Sequence, residues 1–308
     1  MTSDPDPPIA WGAGRSGSGT GGSGSGVGGS GSGADTSGND RSDVGAPDID
    51  MSGIDASGTG EASHRFRVDM ARPGVALVVM DRADKRNAMD PAFFRQLAAV
   101  MRALGEHPGV RACVLTGAGS AFSAGGDIAS FADLNGAEAH RRQLALVFDA
   151  FRSVERSEVA VVAAVNGLAY AGGLELVLAC DLAVAGEHAR FAFREVAVGL
   201  MPAFGMLRAP QRIGEGWTRH LVLTGDDVDA TTAERIGLVQ QVVPDDEVVE
   251  VALDLAERIA AHPPLAVAMA KQIFIMGAEH LDTAAREATV VLFGTADHRS
   301  AVERFLAR

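Results

Sequence analysis

Two glutamates lie in segments that are otherwise apolar. Glu175 occurs in the run GLELVLA, and Glu195 follows twenty residues later in RFAFREVAVGLMP. An ionised carboxylate is costly to bury without a partner, and burial moves its pKa towards the range that general acid–base catalysis uses. The pair is therefore the first candidate for proton-transfer chemistry. A structural ion pair is the alternative for each, and Arg194 could provide it for Glu195 at the surface.

Two glycine-containing loops each follow a predicted strand. Residues 116–128 read TGAGSAFSAGGDI and residues 166–178 read NGLAYAGGLELVL, with a helix predicted to start near the double glycine of the second loop. Glycine lets the backbone approach a ligand closely, and a helix start presents unpaired N–H groups. Two such loops on neighbouring strands could aim two N–H groups at one oxygen. Ordinary tight turns are the alternative interpretation.

Other common catalytic motifs are absent from the sequence. There is no GK[ST] phosphate loop and no GxSxG elbow, and the eight histidines lack metal-ligand spacing. Gly117 and Gly119 follow a strand, but Phe122 stands where a dinucleotide fingerprint needs its third glycine. The two glutamates and the two loops therefore remain as the candidate site.

Strands and helices alternate through the middle of the chain and must position these groups. Buried strands are predicted at residues 74–80, 110–116 and 159–165. Their apolar residues on both faces are typical of a sheet that is covered on both sides. Asp90 and Pro91 predict the start of a helix, and residues 138–156 show helical spacing. The pattern predicts an α/β fold.

The last third of the chain is predicted to be helical. Residues 246–262 place apolar side chains at spacings of three and four, and Pro263 with Pro264 ends this helix before two or three further helices. We therefore expect a disordered tail rich in glycine, serine and aspartate over residues 1–62, an α/β core over 63–255 and a helical C-terminal region over 256–308. We expect the tail to be dispensable for folding, assembly and activity.

Composition excludes several kinds of partner. The 308 residues carry a formal net charge of −13, and an acidic surface repels phosphate backbones, which argues against nucleic acid. No apolar run reaches 18 residues and the N-terminus lacks the pattern of a secretory signal, so we expect no membrane contact and no export. Cys113 and Cys180 each lie in an apolar run, which predicts buried, reduced thiols in a cytoplasmic protein.

The motifs, taken in their order, resemble those of the crotonase (enoyl-CoA hydratase/isomerase) superfamily. The resemblance covers about residues 66–308 and rests on AFSAGGDI, VAAVNGLAYAGGLELVLACDLAVA, FAFREVAVGLMP, LVLTG and AERIGLVQQVVP. It implies a spiral of ββα units with a helical C-terminal region that builds a trimer, often paired into a hexamer. It also implies an acyl-CoA substrate and no metal or redox cofactor.

The resemblance also assigns roles by position. Ala124 and Gly172 match the residues whose backbone N–H groups form an oxyanion hole. The loop that lines the coenzyme A site is matched by Gly125, Gly126, Asp127 and Ile128. Glu175 and Glu195 match the two glutamates of true hydratases, the first as the base that orients water and the second as the proton donor.

Hydration of 2-enoyl-CoA thioesters is therefore the predicted activity. An isomerase that moves the double bond from position 3 to position 2 is the alternative within the fold, and a non-catalytic acyl-CoA-binding protein is the alternative outside it. Two departures from the family pattern bear on the substrate. Arg194 stands where proline is common, and the glycine pair usual after Pro202 is replaced by AFGM, residues 203–206.

Overall fold

The protein is described here from a computed structural model, which covers residues 64–132, 134–275 and 282–307. The predicted tail, residues 1–62, lies outside the described residues. Cys113 and Cys180 are both buried and unpaired, as the sequence predicts. Within the described residues, no helix is both long enough and apolar enough to cross a membrane.

Ten strands occur in the described residues and form two sheets. They are β1 (Phe66–Arg72), β2 (Val75–Met80), β3 (Ala112–Gly117), β4 (Ala121–Ser123), β5 (Ala160–Val165), β6 (Leu168–Tyr170), β7 (Leu182–Gly186), β8 (Arg190–Ala192), β9 (Asp227–Asp229) and β10 (Gln241–Val243). The larger sheet has the order β1-β2-β3-β5-β7-β10, and the smaller one has the order β4-β6-β8-β9.

Helices cover the sheets and form the C-terminal end. They are α1 (Pro91–Glu106), α2 (Ile128–Ala132), α3 (Ala137–Glu155), α4 (Gly172–Ala179), α5 (Gly205–Thr224), α6 (Ala230–Arg235), α7 (Val248–Ala260), α8 (Pro264–Ile275), α9 (Asp282–Phe293) and α10 (Ala296–Leu306). Asp90 caps α1 by accepting a hydrogen bond of 2.8 Å from the N–H of Phe93, and Pro91 is the first helical residue. Both features are as predicted.

The larger sheet is buried on both faces. Every residue of β3 and β5 is buried, and the pairs β2–β3, β3–β5, β5–β7 and β7–β10 are parallel. Two hydrophobic clusters cover the sheet. Side chains from α1, α3 and α4 belong to the cluster on one face, and side chains from α7 belong to the cluster on the other face. This explains the unbroken apolar runs of the predicted strands and confirms the α/β class.

The smaller sheet positions the candidate site. Strands β4, β6 and β8 are parallel, so their carboxyl ends lie at one edge of the sheet. Beyond β4 comes the loop that contains Ala124 and Gly126; beyond β6 comes α4 with Glu175; beyond β8 comes a short 3₁₀ helix, Glu195–Val198. These three-residue strands are not predicted from the sequence, since they are too short to show an alternating pattern.

The C-terminal helices pack back onto the core. The boundary expected after residue 255 lies inside α7, whose buried residues pack on the larger sheet. The predicted further helices are present as α8, α9 and α10. On α10, His298 places its ring nitrogen Nδ1 2.7 Å from the carbonyl oxygen of Val198, the last residue of the 3₁₀ helix. The C-terminal region therefore contacts the segment that carries Glu195.

Candidate active site

Glu175 lies in the first turn of α4 with its side chain in the protein interior. Its Oε1 accepts a hydrogen bond of 2.8 Å from the backbone N–H of Gly205. Burial raises the pKa of Glu175 to about 7, and the N–H groups of Gly205 and Phe204 limit that rise because they favour the ionised form. Among the described residues Glu175 forms no salt bridge, so the structural ion pair considered from the sequence is not observed.

Glu195 begins the 3₁₀ helix, is half-buried and lies close enough to Glu175 for the charge of Glu175 to act on it. Its Oε2 is buried and has no hydrogen-bond partner among the described residues. Burial, and then the charge of Glu175, raise the pKa of Glu195 well above its usual value. Arg194 does not pair with it in the described structure; its guanidinium reaches Gly225 and Asp227 instead. The structure thus brings the two predicted glutamates together.

The N–H of Ala124 is not free, which corrects one prediction. It donates to the carbonyl oxygen of Arg86 over 2.9 Å, so it cannot also bind a substrate oxygen. The sequence does not show this contact, because Arg86 lies 38 residues earlier and meets the loop only in the folded chain. The prediction that Ala124 is an oxyanion donor is therefore wrong for this structure.

Gly126, two residues after Ala124, has a backbone N–H group that could bind a substrate oxygen. Gly126 lies opposite Met89 in a parallel β-bridge. The residues on either side of Gly126 make the hydrogen bonds of this bridge: the Met89 N–H donates to the carbonyl oxygen of Gly125, and the Asp127 N–H donates to the carbonyl oxygen of Met89. The Gly126 N–H is directed away from Met89 and makes no backbone hydrogen bond within the described residues. A Cβ built on Gly172 would lie 3.6 Å from the Gly126 nitrogen, so the two loops are adjacent.

Gly172 is the first residue of α4, and its N–H also makes no backbone hydrogen bond within the described residues. The preceding residue, Ala171, has φ 49° and ψ −122°, a conformation that costs a residue with a Cβ about 1–3 kcal/mol. Two unpaired N–H groups therefore lie beside each other, near two buried carboxyl groups. Such an arrangement can stabilise an oxyanion while a proton moves.

A family model described as enoyl-CoA hydratase/isomerase matches residues 71–307. The chain belongs to that family. Two relatives are a short-chain-enoyl-CoA hydratase of Clostridium acetobutylicum, 34% identical over 240 residues, and a 2,3-dehydroadipyl-CoA hydratase of Escherichia coli, 35% identical over 242 residues. Each alignment covers 76% of this chain and 92% of the relative.

Solved structures of the same family share the fold. An enoyl-CoA hydratase/isomerase from Mycobacterium paratuberculosis superposes with a TM-score of 0.73 at 30% identity, covering 79% of this chain and 99% of that one. A monofunctional enoyl-CoA isomerase from M. smegmatis gives a TM-score of 0.62 at 31% identity, covering 73% of this chain and 98% of that one. The predicted crotonase-like fold is confirmed.

Close backbone packing at the candidate site requires Gly125. Its φ is +90°, and a Cβ there would lie 2.7 Å from the carbonyl oxygen of Tyr170 and 2.9 Å from the Cβ of Ala171. Asp127, predicted to line the coenzyme A site, forms a salt bridge of 2.7 Å with Arg82. The glycine lets the two loops meet, and the ion pair holds the first loop against the turn that precedes α1.

Residues 203–206, which replace the glycine pair usual after Pro202, form part of the environment of Glu175. Phe204 is 1% exposed, and its ring meets those of Phe148 and Phe151 edge-on, with centroids 5.7 and 5.2 Å apart. Gly205 is needed where it stands, since a Cβ would lie 2.6 Å from the ring of Phe193. From the sequence this segment bears only on the substrate; the backbone donor that it gives to Glu175 is not visible there.

Proposed function

We propose that this protein hydrates 2-enoyl-CoA thioesters to 3-hydroxyacyl-CoA. The observation that carries the proposal is a pair of neighbouring carboxyl groups, that of Glu175 and that of Glu195 with its buried Oε2, whose pKa values are both raised by burial, the second also by the charge of Glu175. Near neutral pH Glu175 is partly ionised, and its charge favours the protonated form of Glu195. One base and one acid side by side are what the addition of water across a double bond needs.

The proposed reaction assigns each group one role. Ionised Glu175 takes a proton from water while the water oxygen bonds to C3, and the electrons of the C2–C3 double bond move onto the thioester oxygen. The N–H groups of Gly126 and Gly172 stabilise the enolate, each contributing about 3 kcal/mol. Protonated Glu195 then delivers its proton to C2. Return of a proton from Glu175 to Glu195 restores the starting state.

The acyl-CoA would bind along the loop that includes Ala124, Gly125, Gly126, Asp127 and Ile128, with its thioester at Gly126 and Gly172. Family membership supports an acyl-CoA substrate. In this proposal the loop contributes backbone groups and close approach rather than charge, because the Asp127 carboxylate is already paired with Arg82.

Double-bond isomerisation is the second candidate, since one structural neighbour is an enoyl-CoA isomerase. Moving a double bond needs one group that removes a proton and returns it, whereas hydration uses two. The buried second carboxyl group, Glu195, therefore favours hydration. Incubation with a 3-enoyl-CoA separates the two activities, because an isomerase alone accumulates the conjugated 2-enoyl product and a hydratase leaves the substrate unchanged.

Crotonyl-CoA hydration is the direct test, followed as the loss of absorbance of the conjugated thioester. We expect turnover by the wild type and a loss of 100-fold or more in both Glu175→Gln and Glu195→Gln. Glu215→Gln, at an exposed glutamate that pairs with Arg219, is the control for the substitution itself. Wild-type turnover by Glu175→Gln would contradict the proposal, and tight binding of acyl-CoA without turnover would favour a binding protein.

We propose in addition that the chain assembles as a homotrimer or a pair of trimers, in a reducing cytoplasmic compartment. The support for assembly is the exposed apolar side chains of α8, where Leu265, Met269 and Phe274 are 71%, 62% and 81% exposed. Light scattering after size-exclusion chromatography gives the mass directly. A monomer at micromolar concentration would contradict this part of the proposal.

A further inference from the structure

Arg194 connects the two segments of the proposed active site. It directly precedes Glu195 and stands where the family commonly has proline. Its φ is −96°, about 30° from the value that a proline ring imposes. A proline at this position would therefore require the backbone to shift. The inference below rests on the proposed function.

The guanidinium of Arg194 contacts three separate elements. Its Nη1 donates to the carbonyl oxygen of Gly225, just after α5, over 2.7 Å. Its Nη2 lies 3.6 Å from a carboxylate oxygen of Asp227 at the start of β9. Its central carbon lies 5.0 Å from the ring centroid of Tyr170 at the end of β6, which is within the range of a cation–π interaction.

Tyr170 extends this connection to the oxyanion segment. It is followed by Ala171, held at positive φ, and then by Gly172 with its unpaired N–H. The Ala171 N–H donates to the carbonyl of Ala192 over 2.8 Å, so this segment is also tied to the strand that leads to Arg194. The strained conformation persists only if surrounding contacts hold it, and the guanidinium stacks on the ring of the residue that precedes Ala171.

We propose that Arg194 is a positioning residue that couples the turn carrying Glu195 to the Tyr170–Gly172 segment. One side chain thereby fixes the proton donor relative to the oxyanion donor. A misplacement of about 1 Å between such groups can lower turnover by up to 100-fold. Proline at this position would lack both the guanidinium and the backbone N–H, which here lowers the pKa of Glu195 against the effect of burial.

The test is a double-mutant cycle on crotonyl-CoA hydration with Arg194→Met, Tyr170→Leu and both together. We expect each single variant to lose tenfold or more in kcat with KM within about threefold, and the double variant to lose no more than the worse single one. Arg194→Lys keeps the charge and one donor, so it should recover part of the loss. Arg190→Gln, which removes another arginine that pairs with Asp227, is the matched control and should stay within twofold.

Hydrogen exchange gives a readout that does not depend on the reaction. We expect Arg194→Met to speed exchange both in residues 195–200 and in residues 168–174, and Tyr170→Leu to do the same, whereas a local structural role would affect only the mutated segment. If the wild type does not hydrate crotonyl-CoA, the proposed function fails and this measurement still decides the coupling. Additive kcat losses, wild-type kcat in both variants, or exchange changes confined to one segment overturn the inference. If Arg194→Met does not fold, Arg194→Gln, which also removes the charge, takes its place in the cycle and in the exchange measurement under the same criteria.

Discussion

The carboxylate of Glu175 accepts its hydrogen bond from the first N–H of α5, that of Gly205, across 2.8 Å. A helix N-terminus favours negative charge, and here it meets a buried carboxylate from a different helix. The contact holds one carboxylate oxygen in place. It also keeps the pKa of Glu175 near neutrality, where a base is ionised often enough to act and basic enough to take a proton.

The rate of hydration should therefore depend on pH with a bell shape. On the acidic side, kcat/KM should rise as Glu175 ionises, with an apparent pKa of about 7. On the basic side it should fall as Glu195, whose pKa is raised further by the charge of Glu175, loses its proton. Because the two groups interact, the measured values belong to the pair. A rate that stays constant between about pH 5 and pH 9 would contradict this assignment of base and acid.

Substitution of Glu175 by glutamine should stabilise the protein at alkaline pH while abolishing turnover. The raised pKa of Glu175 means that the folded state binds the proton more tightly than the unfolded state. The stability of the wild type must then fall as pH rises from about 4.5 to about 7, and the glutamine variant escapes this fall. Its amide oxygen can still accept from Gly205.

Chemical denaturation at two pH values measures this difference. We expect Glu175→Gln to be more stable than the wild type by about 3 kcal/mol at pH 8 and to approach it below pH 5. A difference that stays the same at both pH values would show that the ionisation of Glu175 is not its source.

A methyl group at position 205 should disturb both packing and the pKa of Glu175. In Gly205→Ala the Cβ would lie 2.6 and 2.8 Å from ring atoms of Phe193 and 3.1 Å from Pro202, so the start of α5 must shift. We expect a loss of about 1–3 kcal/mol in the free energy of unfolding. With a weaker N–H contact, the acidic limb of the rate profile should also move to higher pH.

The same substitution elsewhere in α5 is the control. Gly216 has no atom within 4 Å of its built Cβ, so Gly216→Ala should stabilise the helix by about 0.5–1 kcal/mol and leave the rate profile unchanged. Equal stability of the Gly205→Ala and Gly216→Ala proteins would contradict the packing argument.

The sequence predicts the parts of this fold whose signals are local. The runs that become β2, β3 and β5 are each six residues long and mostly apolar, and Asp90 with Pro91 marks the start of α1. The three-residue strands of the smaller sheet carry no such signal. Their existence depends on pairing between segments that are distant along the chain.

The same distinction applies to the candidate site. Glu175 and Glu195 are identified because a charged residue in an apolar run is visible in the sequence. The direction of a backbone N–H is not visible there. The Ala124 N–H is occupied because Arg86 crosses beside it, and the donor to Glu175 is a glycine 30 residues later. Donors of this kind follow from tertiary contacts alone.

Proline at position 172 should remove one oxyanion donor. Gly172 is the first residue of α4, where a proline ring is compatible with the helix and the N–H is lost. We expect Gly172→Pro to lower kcat by about 100-fold or more. The carbonyl stretch of a bound enoyl-CoA should also shift less on binding than in the wild type, because one hydrogen bond to the oxygen is missing.

Alanine at the same position keeps the N–H and provides the control. A Cβ on Gly172 has its nearest neighbour at 3.5 Å, an ordinary contact with the sulfur of Met89, so Gly172→Ala should fold and retain most turnover. Circular dichroism and size-exclusion chromatography establish that both variants fold. Equal turnover of folded Gly172→Pro and Gly172→Ala would exclude this N–H from the mechanism.

Lys271 should be the residue on which the attachment of α8 depends most. It is 4% exposed; its Nζ lies 2.7 Å from a carboxylate oxygen of Asp181 and donates to the carbonyls of Val154 and Val159 over 2.9 and 3.0 Å. Removal of one partner leaves the other charge uncompensated and two carbonyls unsatisfied. We expect Lys271→Met to cost about 3–5 kcal/mol in the free energy of unfolding.

Lys85, the only other lysine in the sequence, provides the control for Lys271→Met. Lys85 is exposed, so Lys85→Met removes the same charge from the surface and should change stability by no more than about 0.5 kcal/mol. Denaturant midpoints of the two variants and the wild type, measured at one protein concentration, give both values. Since Lys271 lies far along the chain from the partners it binds, its loss should also raise hydrogen exchange throughout α8. Matching stabilities of Lys271→Met and Lys85→Met would show that apolar packing, and not this buried ion pair, holds α8 on the core.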